Sequence, residues 1–100
     1  MKKSIIVNTN NFILEQVMNE ALAFSMVITK RNILFDTKKE AQEFIKNHRC
    51  ASRCKTYPLN KKQLEAIEFL KEKNDNKYIE RKIFFNLKWN YKEDNIKWQI

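Results

Sequence analysis

Short apolar runs alternate with polar breaks along the chain, and the period within each run predicts an element. Ser4 to Asn8 is apolar and rich in β-branched residues, which predicts a buried strand. The Asn/Thr cluster Asn8–Asn11 offers an N-cap, and Leu14, Val17, Met18, Ala21 and Leu22 then recur at helical spacing. A helix is expected from Asn11 or Phe12 to about Ala23. Met26–Thr29 and Ile33–Phe35 read as two short strands around the turn Lys30-Arg31-Asn32.

A capping box, Thr37 with Glu40, opens a second helix whose stripe is Ala41, Phe44 and Ile45. Nothing forbids its continuing through Arg49 to Cys54, but Tyr57-Pro58 must end it. Asn60 and Gln63 form a second capping box, followed by the stripe Leu64, Ile67, Leu70 and a stop near Asn74-Asp75-Asn76. From Lys82 the period becomes two. Ile83, Phe85, Leu87, Trp89 and Tyr91 point one way, and Lys82, Phe84, Asn86, Lys88 and Asn90 the other. Ile96, Trp98 and Ile100 alternate again, so a hairpin would pair Tyr91 with Ile96, Trp89 with Trp98 and Leu87 with Ile100. The expected order is β-α-β-β-α-α-β-β. That is a single α+β domain over residues 1–100, an antiparallel sheet with helices packed on one face. The same order also admits a winged-helix-like arrangement, with the third helix in a DNA groove.

Composition changes this picture little. At 43% hydrophobic the chain can fill one core without staples, and no apolar run is long enough to span a membrane. A soluble cytoplasmic protein is expected. Glycine is absent and asparagine occurs twelve times, so asparagine should supply the positive-φ turns.

Charge changes it more. The chain carries +8, and +6 of that falls between Phe44 and Leu64, on Lys46, Arg49, Arg53, Lys55, Lys61 and Lys62, with no carboxylate among them. If the second helix reached Cys54, Lys46, Arg49 and Arg53 would share one face. Lysines in the first turn of a helix, such as Lys61 and Lys62, are opposed by the helix dipole, so dipole complementarity does not explain them. A cluster of this kind can neutralise phosphates. Lys38 and Lys39 repeat the placement, which AT-rich codon usage explains equally well. The outward hairpin face, Lys82, Phe84, Asn86 and Lys88 with Lys97 and Gln99, is also basic. With a single aromatic it reads as edge protection, with Phe84 covered by a helix or a partner.

Catalytic parts are few. His48, Cys50 and Cys54 match no common metal spacing and leave a fourth ligand missing, so two reduced cysteines and no metal or cofactor are expected. A small metal-independent RNase could use His48 as acid or base, with Arg49, Arg53, Lys55 and Tyr57 around it. Basic binding surfaces contain the same residues without catalysing anything. Separately, Phe35-Asp36-Thr37-Lys38-Lys39-Glu40-Ala41 resembles the strand-to-helix junction in the N-terminal DNA-binding modules of phage integrases. The resemblance covers seven residues and transfers no functional residue. The expectation is a small non-enzymatic basic protein that acts on nucleic acid, or on a nucleoprotein machine, through residues 46–62. The alternative is a phage or mobile-element inhibitor of the anti-CRISPR type that binds a host defence complex. Either would be a monomer or a homodimer.

Overall fold

In the computed structural model of the chain, residues 2–17, 21–48, 53–72, 76–86 and the backbone of 97–98 are described. Strand β1 (Ser4–Asn8) forms where its β-branched run predicts it and turns back into β2 (Ile13–Gln16). The Asn8 side-chain oxygen accepts from the backbone N–H groups of Asn10 and Phe12, both at 2.9 Å, and Asn11 sits at φ 59°. Asparagine therefore supplies both the local acceptor and the left-handed residue of this turn.

The helix expected over 11–22 is replaced by two strands. β2 pairs antiparallel with β3 (Leu22–Ser25), from Ile13↔Ser25 to Gln16↔Leu22. The reason is that β2 is buried on both faces: Ile13 enters one cluster and Leu14 the other, and Glu15 is itself buried. A strand covered on both sides loses the polar alternation that identifies it, and the helical template then fits by default. After a bend at Met26, where Ser25 Oγ accepts from Val27 N at 3.2 Å, the chain enters β4 (Val27–Ile28), inside the expected strand 26–29.

Helix α1 (Lys38–Lys46) starts at Thr37, whose hydroxyl accepts from Glu40 N at 3.1 Å. It ends at Asn47 and does not run on to Cys54. Instead Cys54–Pro58 is strand β5, paired antiparallel with β1 through five successive residues, from Ser4↔Pro58 to Asn8↔Cys54. The proline restriction that was expected to stop a helix at Tyr57 is satisfied here by extended backbone. The first sheet has the order β3-β2-β1-β5.

The second capping box closes in both directions. Asn60 Oδ1 accepts from Gln63 N at 2.8 Å, and Asn60 N donates to Gln63 Oε1 at 3.1 Å, opening α2 (Lys61–Glu72). Then follow β6 (Lys77–Glu80), the single turn α3 (Arg81–Phe84) and β7 (Lys97–Trp98). The second sheet is β4-β6-β7. The strand expected from Lys82 is a helical turn at its start, with Phe85 N donating to Arg81 O at 2.9 Å. Ile83-Phe84-Phe85 is a continuous apolar run that faces the core from one turn. Phe84 is covered, as expected, but as a core residue of a helical turn and not from the outer face of a strand. The neighbour of β7 seen here is β6, with Lys77↔Trp98 and Tyr78↔Lys97. Met18, Arg49, Cys50, Asn74 and Asp75 lie outside the described residues, as do the hairpin positions Leu87, Lys88, Trp89, Asn90, Tyr91, Ile96, Gln99 and Ile100.

The α+β class with antiparallel pairing stands, but α1 and α2 take opposite faces of the first sheet rather than sharing one. Ile6, Leu14 and Ala41 are buried on the α1 side, with Phe44 and Ile45 packed against them. Ile5, Val7 and Ile13 pack with Ala66, Ile67 and Leu70 on the other, and that cluster extends through Ile28, Ile79 and Phe84 into the second sheet. Central strands apolar at consecutive positions require a cover on each side. The winged-helix alternative needs a helix where β2 and β3 stand, and it falls with that helix.

One further feature fills the sheet. The register pair between β1 and β2 is Val7↔Ile13, and beyond it residues 31–35 enter between the strands. Ser4 and Phe35 exchange two backbone hydrogen bonds of 2.9 and 2.8 Å, while Ile33 N donates to Leu14 O and Gln16 N to Arg31 O. The expected strand Ile33–Phe35 is thus a wedge held by isolated bridges at Asn32 and Phe35.

Candidate anion-binding surface

Among the described residues no strand pairs with the outer edge of β5. An open edge risks pairing with another chain, and β5 is protected in two ways. Lys55 is exposed on it, and Pro58 offers no N–H. Arg53 stands exposed immediately before the strand, and exposed Lys46 ends α1. Arg53, Cys54 and Lys55 line an open recess of about 280 Å³ with Asn8 and Thr9, from the facing turn of β1.

The six expected residues do not form one patch. Arg49 lies outside the described residues. Lys61 and Lys62, both exposed in the first turn of α2, follow the Pro58 end of β5, whereas Arg53 precedes its Cys54 end. The four residue steps between those ends span roughly 13 Å at the usual strand rise.

At the Pro58 end the fold assembles lysines that the charge run did not include. Lys2, Lys38 and Lys39 surround Pro58 and Thr37 in an open recess of about 330 Å³. Leu59 N donates to Lys3 O at 2.9 Å, which brings the start of α2 against the N-terminal residues. Lys3 is itself 3.8 Å from Asp36. The β5 edge therefore carries Arg53 and Lys55 at one end. Lys2, Lys38 and Lys39 stand at the other, with Lys61 and Lys62 just beyond. The pairing of β1 with β5 and the Ser4–Phe35 bridge together unite residues 2, 38 and 61, and no local pattern could have shown that.

The groups considered for acid–base work are divided by the sheet. His48 stacks on Phe44, with ring centroids 3.9 Å apart, and its Nδ1 is 2.7 Å from Phe44 O; a carbonyl only accepts, so Nδ1 carries the proton. Phe44 packs on the α1 side. Tyr57 pairs with Ile5 and belongs to the α2 side, where its hydroxyl accepts from Gln63 Nε2 at 3.2 Å and its ring meets the edge of Phe85. The fold does not bring these two side chains together. Cys54 is half-buried against the α1-side cluster. Among the described residues no three His, Cys, Asp or Glu side chains converge as a metal site would require.

One polar cluster escaped the sequence reading. Glu15, buried in β2, accepts from Thr29 Oγ1 at 3.2 Å and lies 3.9 Å from Arg31 Nε. Lys71, from the last turn of α2, donates to Lys30 O at 2.9 Å and Asn32 O at 2.7 Å, and burial lowers the pKa of its ammonium. The isolated glutamate and the distant lysine carried no motif. No helix among the described residues is long and apolar enough to cross a membrane. No family model matches the chain, and it matches no curated protein and no solved structure.

Proposed function

We propose that the chain is a non-enzymatic cytoplasmic binding protein. Its β5 edge takes the phosphate backbone of a nucleic acid, free or held in a nucleoprotein machine. One observation carries this reading. Cations distant in sequence border the open outer edge of β5, Arg53 and Lys55 at its Cys54 end and Lys2, Lys38 and Lys39 at its Pro58 end, where Lys61 and Lys62 follow in the chain. A row of cations on a firm edge suits a repeating anion better than a single small one.

The test is fluorescence anisotropy of a labelled single-stranded oligonucleotide across salt concentrations. Binding should weaken as salt rises, and each lost phosphate contact should flatten the log–log slope by roughly 0.7–0.9. Arg53→Glu with Lys55→Glu should flatten it by about two contacts' worth. Absence of binding to both DNA and RNA at low salt would end this reading.

A second reading has its own observation. At the opposite sheet edge, β3 and the bend after it expose Leu22 (42%) and Met26 (59%), the chemistry of a protein contact. This favours an inhibitor that docks on a host defence complex. On that reading Leu22→Asp with Met26→Asp removes inhibition of the complex while oligonucleotide binding stays unchanged.

A further inference from the structure

We propose that the hollow between the 30–32 turn, the end of β2 and the last turn of α2 is a binding site for a phosphate group, separate from the β5 edge. It is open and holds about 480 Å³, and its wall includes Gln16, Lys30, Arg31, Asn32, Leu34 and Lys71. Three of these side chains are cationic. One of them, Arg31, faces the buried carboxylate of Glu15, which also accepts from Thr29. No carboxylate stands among the described residues of its wall.

The turn is rigid where it matters. Asn32 Oδ1 accepts from Thr29 N at 2.8 Å, Asn32 N donates to Thr29 O at 3.3 Å, and Arg31 N donates to Thr29 Oγ1 at 3.1 Å. These bonds fix the Asn32 amide, whose oxygen is satisfied. Its Nδ2 is buried and finds no hydrogen-bond partner among the described residues. An amide donor left in that state is costly, and an anion oxygen reaching it, directly or through one water, would satisfy it.

Lys71 fits the same reading. An ammonium has three N–H donors, and the carbonyls of Lys30 and Asn32 take two of them. Its role as a clamp on the turn explains those two bonds. It does not explain the orphaned amide. Burial disfavours the Lys71 charge, and an anion in the hollow would favour it again. The chemistry is that of a phosphate group, whether part of a phosphodiester chain or of a free phosphate.

The experiment titrates the full ¹⁵N-labelled chain with inorganic phosphate and, separately, with a short oligothymidylate, followed by heteronuclear NMR. Phosphate should shift the Asn32 side-chain amide and the backbone amides of residues 30–34, and should raise the Lys71 pKa. Gln16→Glu puts a like charge in the hollow at an exposed position and should weaken phosphate roughly tenfold or more. Lys71→Gln should weaken it too, with the fold checked by the shifts of β1. Tighter binding of oligothymidylate at the same residues would identify the phosphodiester backbone as the source. Tighter binding of phosphate would identify the free ion. The proposal is overturned if neither probe moves residues 30–34 and Asn32, or if Gln16→Glu binds phosphate as well as the parent chain. The Arg53→Glu, Lys55→Glu variant should keep the Asn32 response, so failure at one surface is distinguishable from failure at the other.

Discussion

Helices α1 and α2 both open on a side-chain cap and both lie against the sheet β3-β2-β1-β5, yet they are joined to it very differently. In α2 four residues, Gln63, Ala66, Ile67 and Leu70, are buried. The cap residue Gln63 also donates to Tyr57 Oη and to the Phe84 carbonyl at 3.1 Å, tying β5, α2 and α3 together. In α1 only Ala41 is buried, and Phe44 and Ile45 are half-covered. The α2 face holds the structure, while the α1 face is a thinner cover with little to lose from surface change. Adaptable binding residues belong on such a cover or at the sheet edge beside it.

The sharpest test of that contrast is truncation at matched positions. Ile67→Ala should cost about 2–5 kcal/mol in urea unfolding, the usual range for a fully buried isoleucine. Ile45→Ala should cost clearly less, and equal losses would break the comparison. Next come the caps. Gln63→Ala removes the buried side chain that donates to the Phe84 carbonyl and the Tyr57 hydroxyl and should cost roughly 1–3 kcal/mol. Thr37→Ala loses one exposed cap bond and should cost about 1 kcal/mol. Smaller again is the edge: Arg53→Glu with Lys55→Glu should stay within about 0.5 kcal/mol of the parent, as exposed substitutions do, while its salt slope changes.

The smallest effect is one of pH. Lys71 has a folded-state pKa below its ordinary 10.5, so folding there opposes the charged form. The unfolded chain then binds more protons between the two values, and this group's contribution to stability rises as pH climbs through that window. Against a Lys71→Arg variant, which does not titrate there, the parent should gain stability on approaching pH 10.5. A loss on approaching it would contradict the desolvation reading.

These contrasts also mark how far the sequence could be read. Both caps and the first strand were legible because each is fixed by neighbours within four residues. The stretch 11–22 was not, since burial of Ile13 and Leu14 on opposite sides removes the alternation that marks a strand. Residues 83–85 misled in the reverse direction, as a continuous apolar run can be parsed at either period. The candidate surface was half legible. Its charge run stood out, but its division by β5 and the recruitment of Lys2, Lys38 and Lys39 depend on the Ser4–Phe35 bridge and on a pairing across some fifty positions.

That pairing also sets a timetable. β1 is an inner strand, yet one of its two edges is completed only by β5, from Cys54 to Pro58. The hairpins of β1, β2 and β3 are local and can close within microseconds of leaving the ribosome. At ordinary synthesis rates the second partner of β1 follows roughly 3–10 s later. Throughout that interval β1, buried at four of its five positions in the finished fold, shows a bare backbone edge. Yield in cells should therefore depend on what occupies that edge during translation, independently of how stable the finished fold is.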